Sequence, residues 1–214
     1  MGDNGNMPTE LLPLFPLGVV LLPRTHLPLH IFEERYKEMI GECIRNRSEF
    51  GIVLAADKGI VATGCTAVVE KVTREYEDGR LDIVVVGVRR FEIESLDTER
   101  PYLRGLVRFF NDEESEPVSA ELKARALRAY RLLTATGAEE APAPELDDPQ
   151  LSFQLAQAIP DAEFRQALLM MRSERERLRR LVEFAPVQAA RQRYAAHIKA
   201  VAPWNGRGPD LARN

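Results

Sequence analysis

The sequence predicts an α+β fold, a β-rich, barrel-like half followed by a helical half. Three observations predict it. Runs rich in β-branched residues flank the turn dipeptide Asp78-Gly79, prolines punctuate Glu10 to His30 into short extended pieces, and after Pro117 the apolar residues change to helical spacing. With 214 residues, 45% hydrophobic and 29% charged, the composition is that of an ordinary globular protein. At this length about 70% of the unfolded chain's surface can be buried, so the fold needs no staples.

Residues 1–9 read as a disordered leader and residues 10–116 as the β-rich unit. In the latter, Leu14 to Leu17 and Val19 to Pro23 read as short strands that end at prolines, which lack a ladder donor. A helix follows from about Glu33 to Arg47, with Tyr36, Met39, Ile40, Cys43 and Ile44 on one apolar stripe. Phe50 to Ala55 and Gly64 to Tyr76 are strands, and Asp78-Gly79 is a two-residue hairpin turn whose central positions need positive φ. The return strand, Arg80 to Ile93, is apolar on both faces at its centre, as expected in a small closed or orthogonally packed barrel. Tyr102 to Phe110 is the last strand, and Asn111 to Glu116 an acidic exit.

Residues 117–203 read as the helical unit. Ser119 caps a helix carrying Leu122, Ala126, Leu127, Tyr130 and Leu133, which Gly137 ends. Residues 138–147 form a proline-rich acidic connector, and Asp148 caps the next helix with Pro149 at its tolerated first position. Pro160-Asp161 restarts the chain for Ala162 to Arg172. Ser173-Glu174-Arg175-Glu176 has capping-box spacing and opens a long helix that Pro186 should bend or divide. Residues 204–214 read as a flexible tail.

The formal charge of -4 gives no long-range field favouring nucleic acid or anionic lipid. The Leu11 to Leu29 stretch holds four prolines with Arg24 and His26, so it does not span a bilayer, and no secretory signal precedes it. Cys43 and Cys65 read as reduced thiols of a cytoplasmic protein.

Each candidate for chemistry has a plainer reading. Gly59 to Thr66 has Walker A spacing, but Cys65 replaces the lysine and a strand follows instead of a helix, so ATP binding is not expected. His26 and His30, with Glu33 and Glu34 behind them, have metal-ligand spacing only on a helix, which Pro28 forbids; no metal or cofactor is expected there. His197 stands alone. Ser48, Ser95, Ser115, Ser119, Ser152 and Ser173 lie in no nucleophile motif, and both cysteines lie in apolar stretches where thiols are inert. No catalytic residue is expected. Glu33-Glu34, Glu113-Glu114 and Glu139-Glu140 read as solvated surface. Arg172, Arg175, Arg177, Arg179 and Arg180 alternate with Glu174, Glu176 and Glu183, which reads as a salt-bridge-laced helix face.

Ordered segments also carry a resemblance. Leu12-Pro13-Leu14-Phe15-Pro16-Leu17, Val20-Leu21-Leu22-Pro23 and Leu27 to Tyr36 resemble the opening of the Lon protease N-terminal, or LON substrate-binding, domain family. Gly64 to Ala67, Asp78 to Leu81, Val86 to Ile93, Leu151 to Pro160, Arg165 to Leu169 and Glu176 to Leu178 continue it in order, over roughly residues 10–185. The resemblance implies a PUA-like β-barrel packed against a helical bundle, in the stand-alone bacterial form without the ATPase and Ser-Lys protease domains. It implies a non-catalytic module for unfolded or degron-bearing proteins and peptides, working beside a protease or chaperone, and a homo-oligomer. RNA is the alternative partner, since PUA-like barrels elsewhere contact RNA, and a cryptic hydrolase is a third reading. Phe32, Arg35, Tyr36, Arg90 and Phe91 carry the resemblance but read as structural, the aromatic rings as core and Arg35 as a partner of nearby carbonyls or carboxylates. The sequence assigns no peptide-binding residue.

Overall fold

A computed structural model describes residues 9–57, 59–113, 117–135 and 143–201 of the chain. Six strands are present: β1 (Thr9–Leu17), β2 (His26–Ile31), β3 (Phe50–Ala56), β4 (Gly59–Glu75), β5 (Leu81–Asp97) and β6 (Arg104–Phe110). Helix α1 (Glu34–Asn46) lies between β2 and β3. After the strands come α2 (Ala120–Thr134), α3 (Leu151–Ala156), α4 (Ala162–Met170) and α5 (Glu174–Val201).

The strand order is β2-β5-β4-β3-β1-β6, and β6 also pairs with β5. Strands β1, β3, β4, β5 and β6 thereby close a ring. The first half of β5 pairs with β2 (Leu81 with Ile31, Val86 with His26), and its second half pairs with β6 (Arg90 with Phe110, Asp97 with Arg104). Register shifts between Cys65 and Ala67, Val69 and Lys71, and Val72 and Arg74 bend the long β4–β5 ribbon, as bulges do. Gly51 and Gly64 let the buried Phe91 ring lie against the ring wall; a Cβ at either would stand 2.7 or 2.5 Å from its Cζ.

Two apolar clusters form. The smaller holds Leu12, Leu14, Val53, Phe91, Val107 and Phe109 of the barrel. The larger runs through both halves of the chain, joining Phe15, Ile52, Cys65 and Val85 of the strands to Leu122, Phe153, Leu168 and Leu181 of the helices.

The expected elements are present, with differences that have local causes. Val19 to Pro23 is not a strand: Val20, Leu21 and Leu22 are buried without pairing, and the chain turns at Arg24, which has a left-handed φ of 60°. The expected leader falls on residues 1–8, outside the described residues, except Thr9, which already pairs with Arg108. At the hairpin only Gly79 has positive φ (79°), and Tyr76 N–H donates to Arg80 O, so the loop is longer than the expected two residues. Such loops place one left-handed residue at the end. Asp148 does not cap α3, whose cap position is Gln150, although its carboxylate accepts the Gln150 N–H at 2.8 Å. Pro186 does not divide α5. Ser119, Asp161 and Ser173 do accept helix N–H groups, from Leu122, Phe164 and Glu176. Gly137 and residues 138–142, the first half of the acidic connector, lie outside the described residues, as does the expected tail.

Candidate functional site

Strand β2 has one neighbour in the sheet, β5, so its other edge is unpaired among the described residues. Beside that edge lies a groove of about 550 Å³ lined by Phe15 to Leu17 of β1, Pro28 to Ile31 of β2, and Phe32, Glu33, Arg35 and Tyr36 where α1 begins. Pro28 suits this place, because a strand without an outer neighbour tolerates a residue that cannot donate. The alternation of β2 turns His26, Pro28 and His30 outward and buries Ile31. Phe32 continues the outward phase and is 59% exposed, a large apolar ring left in water.

The aromatic groups of the groove are held in place. The Phe15 and Tyr36 rings meet at 4.2 Å, and the Arg35 guanidinium lies 4.6 Å from the Tyr36 centroid. Glu33 fixes that guanidinium through Arg35 Nε and Nη2 at 2.9 and 2.7 Å. Burial, partly offset by the charge of Arg35, pushes the Tyr36 hydroxyl above its ordinary range. Phe32 stacks on His30 at 5.8 Å, and the His30 and Tyr76 rings stand perpendicular at 5.8 Å. His30 Nδ1 lies 2.5 Å from Asp82 Oδ1, and Tyr76 O–H donates to Asp82 at 2.8 Å. Those bonds, that of His30 first, hold the Asp82 carboxyl below its usual value. The groove floor is thus rigid, apolar and open. Of the two aromatic residues read as core here, Tyr36 is buried in it, whereas Phe32 is exposed.

A larger cleft, about 690 Å³, opens between the barrel and α2–α3. Its polar lining is already engaged: Arg24 Nε contacts the buried Asp148 carboxylate at 3.0 Å, and His26 pairs with Glu70 at 3.2 Å. It has no exposed aromatic anchor, so the smaller groove is the better candidate.

The expected arginine-rich helix face is corrected most sharply. Arg177 is fully buried and Arg90 is 2% exposed. Arg177 holds both Asp112 oxygens, at 2.7 and 2.5 Å, and also contacts Glu174 at 2.8 Å and Ser152 Oγ at 2.8 Å. Arg90 donates to Asp112 at 2.6 Å and to the Leu169 and Met171 carbonyls. Ser152 Oγ donates to Glu174 at 2.6 Å. The cluster joins β5 and the end of β6 to α3, α4 and α5. Its serine is walled in, so it bolts the two halves together and offers no reactive centre to solvent. Arg172 extends it outward to Glu92 and Glu113, whereas Arg179 pairs with Glu176 on the surface as expected.

The remaining candidates are dispersed. Gly59 to Thr66 lies within β4, not in a loop before a helix. His26 and His30 share the outward face of β2, but at a strand's rise of about 3.3 Å per residue they stand about 13 Å apart, unlike residues four apart on a helix. Each takes a single carboxylate partner. No group of three His, Cys, Asp or Glu that could hold a metal occurs among the described residues. Cys43 and Cys65 are free and buried; burial pushes the Cys65 thiol up to about 12. Ser115, Glu114 and the Glu139-Glu140 pair lie outside the described residues, and His197 is exposed on α5. No helix of the described residues is long and apolar enough to cross a membrane.

An open aromatic groove on a barrel, bolted by buried charge to a helical half, is the build of a recognition module. The chain belongs to the family of the ATP-dependent protease La (LON) substrate-binding domain, whose model matches residues 11–185. It is 27% identical over 124 residues, 54% of this chain, to the Lon protease of Parabacteroides distasonis, and spans only 15% of that protein. The structure resembles the crystal structure of a Lon N-terminal domain protein from Xanthomonas campestris, with TM-score 0.67 and 28% identity over 82% of this chain and 98% of that one. The N-terminal domain of a Mycobacterium avium complex Lon protease shares the fold, with TM-score 0.58, 19% identity, and coverage of 83% and 98%. The fold expected from the sequence, a β-barrel with a helical half, is therefore confirmed, and the family is the substrate-binding part of Lon, not its ATPase or protease part.

Proposed function

We propose that the protein is a non-catalytic recognition module that binds exposed apolar segments of unfolded or degron-bearing proteins in the Phe15–Phe32–Tyr36 groove. The observation that carries the reading is Phe32, 59% exposed and stacked on a fixed imidazole above an apolar floor. Membership of the LON substrate-binding family supports a protein ligand and a link to ATP-dependent proteolysis or quality control. A bound segment would bury Phe32 and lay apolar side chains along Pro16, Leu17 and Leu29, while Arg35 and Glu33 at the rim would offer polar contacts.

Binding of fluorescent, reduced and alkylated casein tests this. Phe32→Ala should weaken binding about tenfold, the ordinary effect of removing an aromatic anchor from an interface, with the thermal transition unchanged because the ring is in water. Equal affinity of the variant and the parent would remove the groove as the site.

A further inference from the structure

Helix α2 carries a basic face that the rest of the chain leaves unpaired. Its inner face buries Leu122, Ala126, Ala129 and Leu133, and the helix packs on α5. On the opposite face Arg125, Arg128 and Arg131 follow one another at steps of three, all exposed, with Ala124 and Leu132 beside them. Each step climbs the helix by about 4.5 Å. The helix holds four cations, these and Lys123, against one carboxylate, Glu121, in a chain whose net charge is -4.

The charges name the occupant. On the barrel, arginines find carboxylates: Arg89 holds Glu49, Arg104 holds Asp97 and Arg108 holds Glu94. The side chains of Arg125, Arg128 and Arg131 make no ion pair, hydrogen bond or ring contact with any described residue, and Glu121, one turn before Arg125, also stays apart. Like charges a turn apart repel, so such a face gains most from a ligand that brings carboxylates. We propose that it docks an acidic helix of another protein, one with carboxylates a turn apart along a single side. Carboxylates on every third or fourth residue match the spacing of Arg125, Arg128 and Arg131, and each guanidinium can hold one through two parallel bonds. Leu132, 37% exposed, and the small Ala124 let an apolar residue of the same partner pack among the charges. That mixture suits a protein better than a phosphate backbone, which the chain's net negative charge also repels. One helix on one face buries less than about 1,200 Å² in total, so the complex is weak and salt-sensitive. The face belongs to a different element from the groove of β1, β2 and α1, and the proposal does not rest on the function assigned to that groove.

Fluorescence anisotropy tests it, with the full chain and a labelled, alanine-based helix of about 20 residues that carries glutamates at every third and fourth position. A peptide of equal composition, its glutamates spread around the helix, is the comparison. The parent should bind the first peptide at least about fivefold more tightly than the second, and lose that binding in about 0.3 M salt. Arg128→Glu should weaken binding about tenfold, because it sets like charge against the peptide, without lowering the thermal transition. Arg191→Glu makes the same change of charge at an exposed arginine of α5 and should weaken binding by less than about twofold. Binding that ignores the glutamate pattern, or that falls equally in the two variants, follows from net charge alone and overturns the proposal, as does an absence of binding at low salt. A single-stranded RNA of about 20 nucleotides, bound more tightly than the peptide and released by Arg128→Glu, would assign the face to nucleic acid and overturn it too.

Discussion

Asp112 is the pivot of the ionic bolt. It receives Arg177 through two oxygens and Arg90 through one. Burial would push its carboxyl up, but the hydrogen bonds and charge of Arg177 and Arg90 outweigh that and hold it below the ordinary value. Glu174 has the opposite balance: burial raises it by more than Arg177 and Ser152 lower it. The two carboxylates therefore impose opposite pH dependences. A lowered folded-state value contributes stability above the unfolded value, about 3.9 for aspartate, that is lost as pH falls through the folded value. A raised value contributes stability that is full below the unfolded value, about 4.3 for glutamate, and lost as pH rises through the folded one. Asp112→Asn should cost about 3–5 kcal/mol at neutral pH, since it leaves Arg177 and Arg90 short of a counter-charge inside the protein. It should also flatten the loss of stability that sets in below about pH 4, where the unfolded chain's Asp112 takes up a proton that the folded parent's still resists. Glu174→Gln should instead flatten the loss of stability as pH rises above about 4.3. Urea unfolding across pH separates the two. An acid limb unaltered in Asp112→Asn would show that this carboxylate does not carry it.

Glycine and proline decide how the elements meet. Gly64 on β4 leaves no room for a side chain: a Cβ there would lie 2.5 Å from Phe91 Cζ and 2.6 Å from the Ile52 carbonyl oxygen, and the second of these is backbone. Gly64→Ala should destabilise by about 3 kcal/mol, the upper end of overpacking. Gly18→Ala, with nothing within 4 Å of its Cβ position, should change stability by less than about 0.5 kcal/mol. Equal midpoints for the two variants in denaturant would contradict this account of the barrel wall. The elements themselves were legible where a period or a cap spoke, as in α1, the β4–β5 ribbon, and the starts of α2, α4 and α5. They were misread where tertiary contact ruled. Val20 to Leu22 has strand composition, yet it plugs the core because no neighbour is left to pair with it. Arg177 sits in an alternating charge run, and nothing local separates it from Arg179; its burial comes from Asp112, sixty-five residues away. Phe32 was within reach, since the outward phase of His26, Pro28 and His30 extends to it. The groove around it was not, because it needs β1 and α1 brought to the same edge.

At the scale of the whole molecule, the sequence divides at Pro117 but the core does not. The larger apolar cluster takes members from β1, β3, β4, β5 and α1 together with α2 to α5. The bonds across the division are buried: Gln166 donates to the Thr63 carbonyl at 3.0 Å, and Arg90 reaches the Leu169 carbonyl. Separating the halves would strip Arg90 of those carbonyls and of the Arg177 that shares Asp112, while exposing apolar surface on both pieces. Each Å² of such surface costs about 25 cal/mol, so neither piece has a low-energy state alone. The chain should therefore unfold as one unit, with calorimetric and van't Hoff enthalpies equal and with far-UV and near-UV signals falling together. A fragment of residues 9–113 should be aggregated or molten, with exchange-labile strand amides. Two resolved heat-capacity peaks, or a dispersed NMR spectrum from that fragment, would mean that the barrel stands without its helices and that the bolt only orients them.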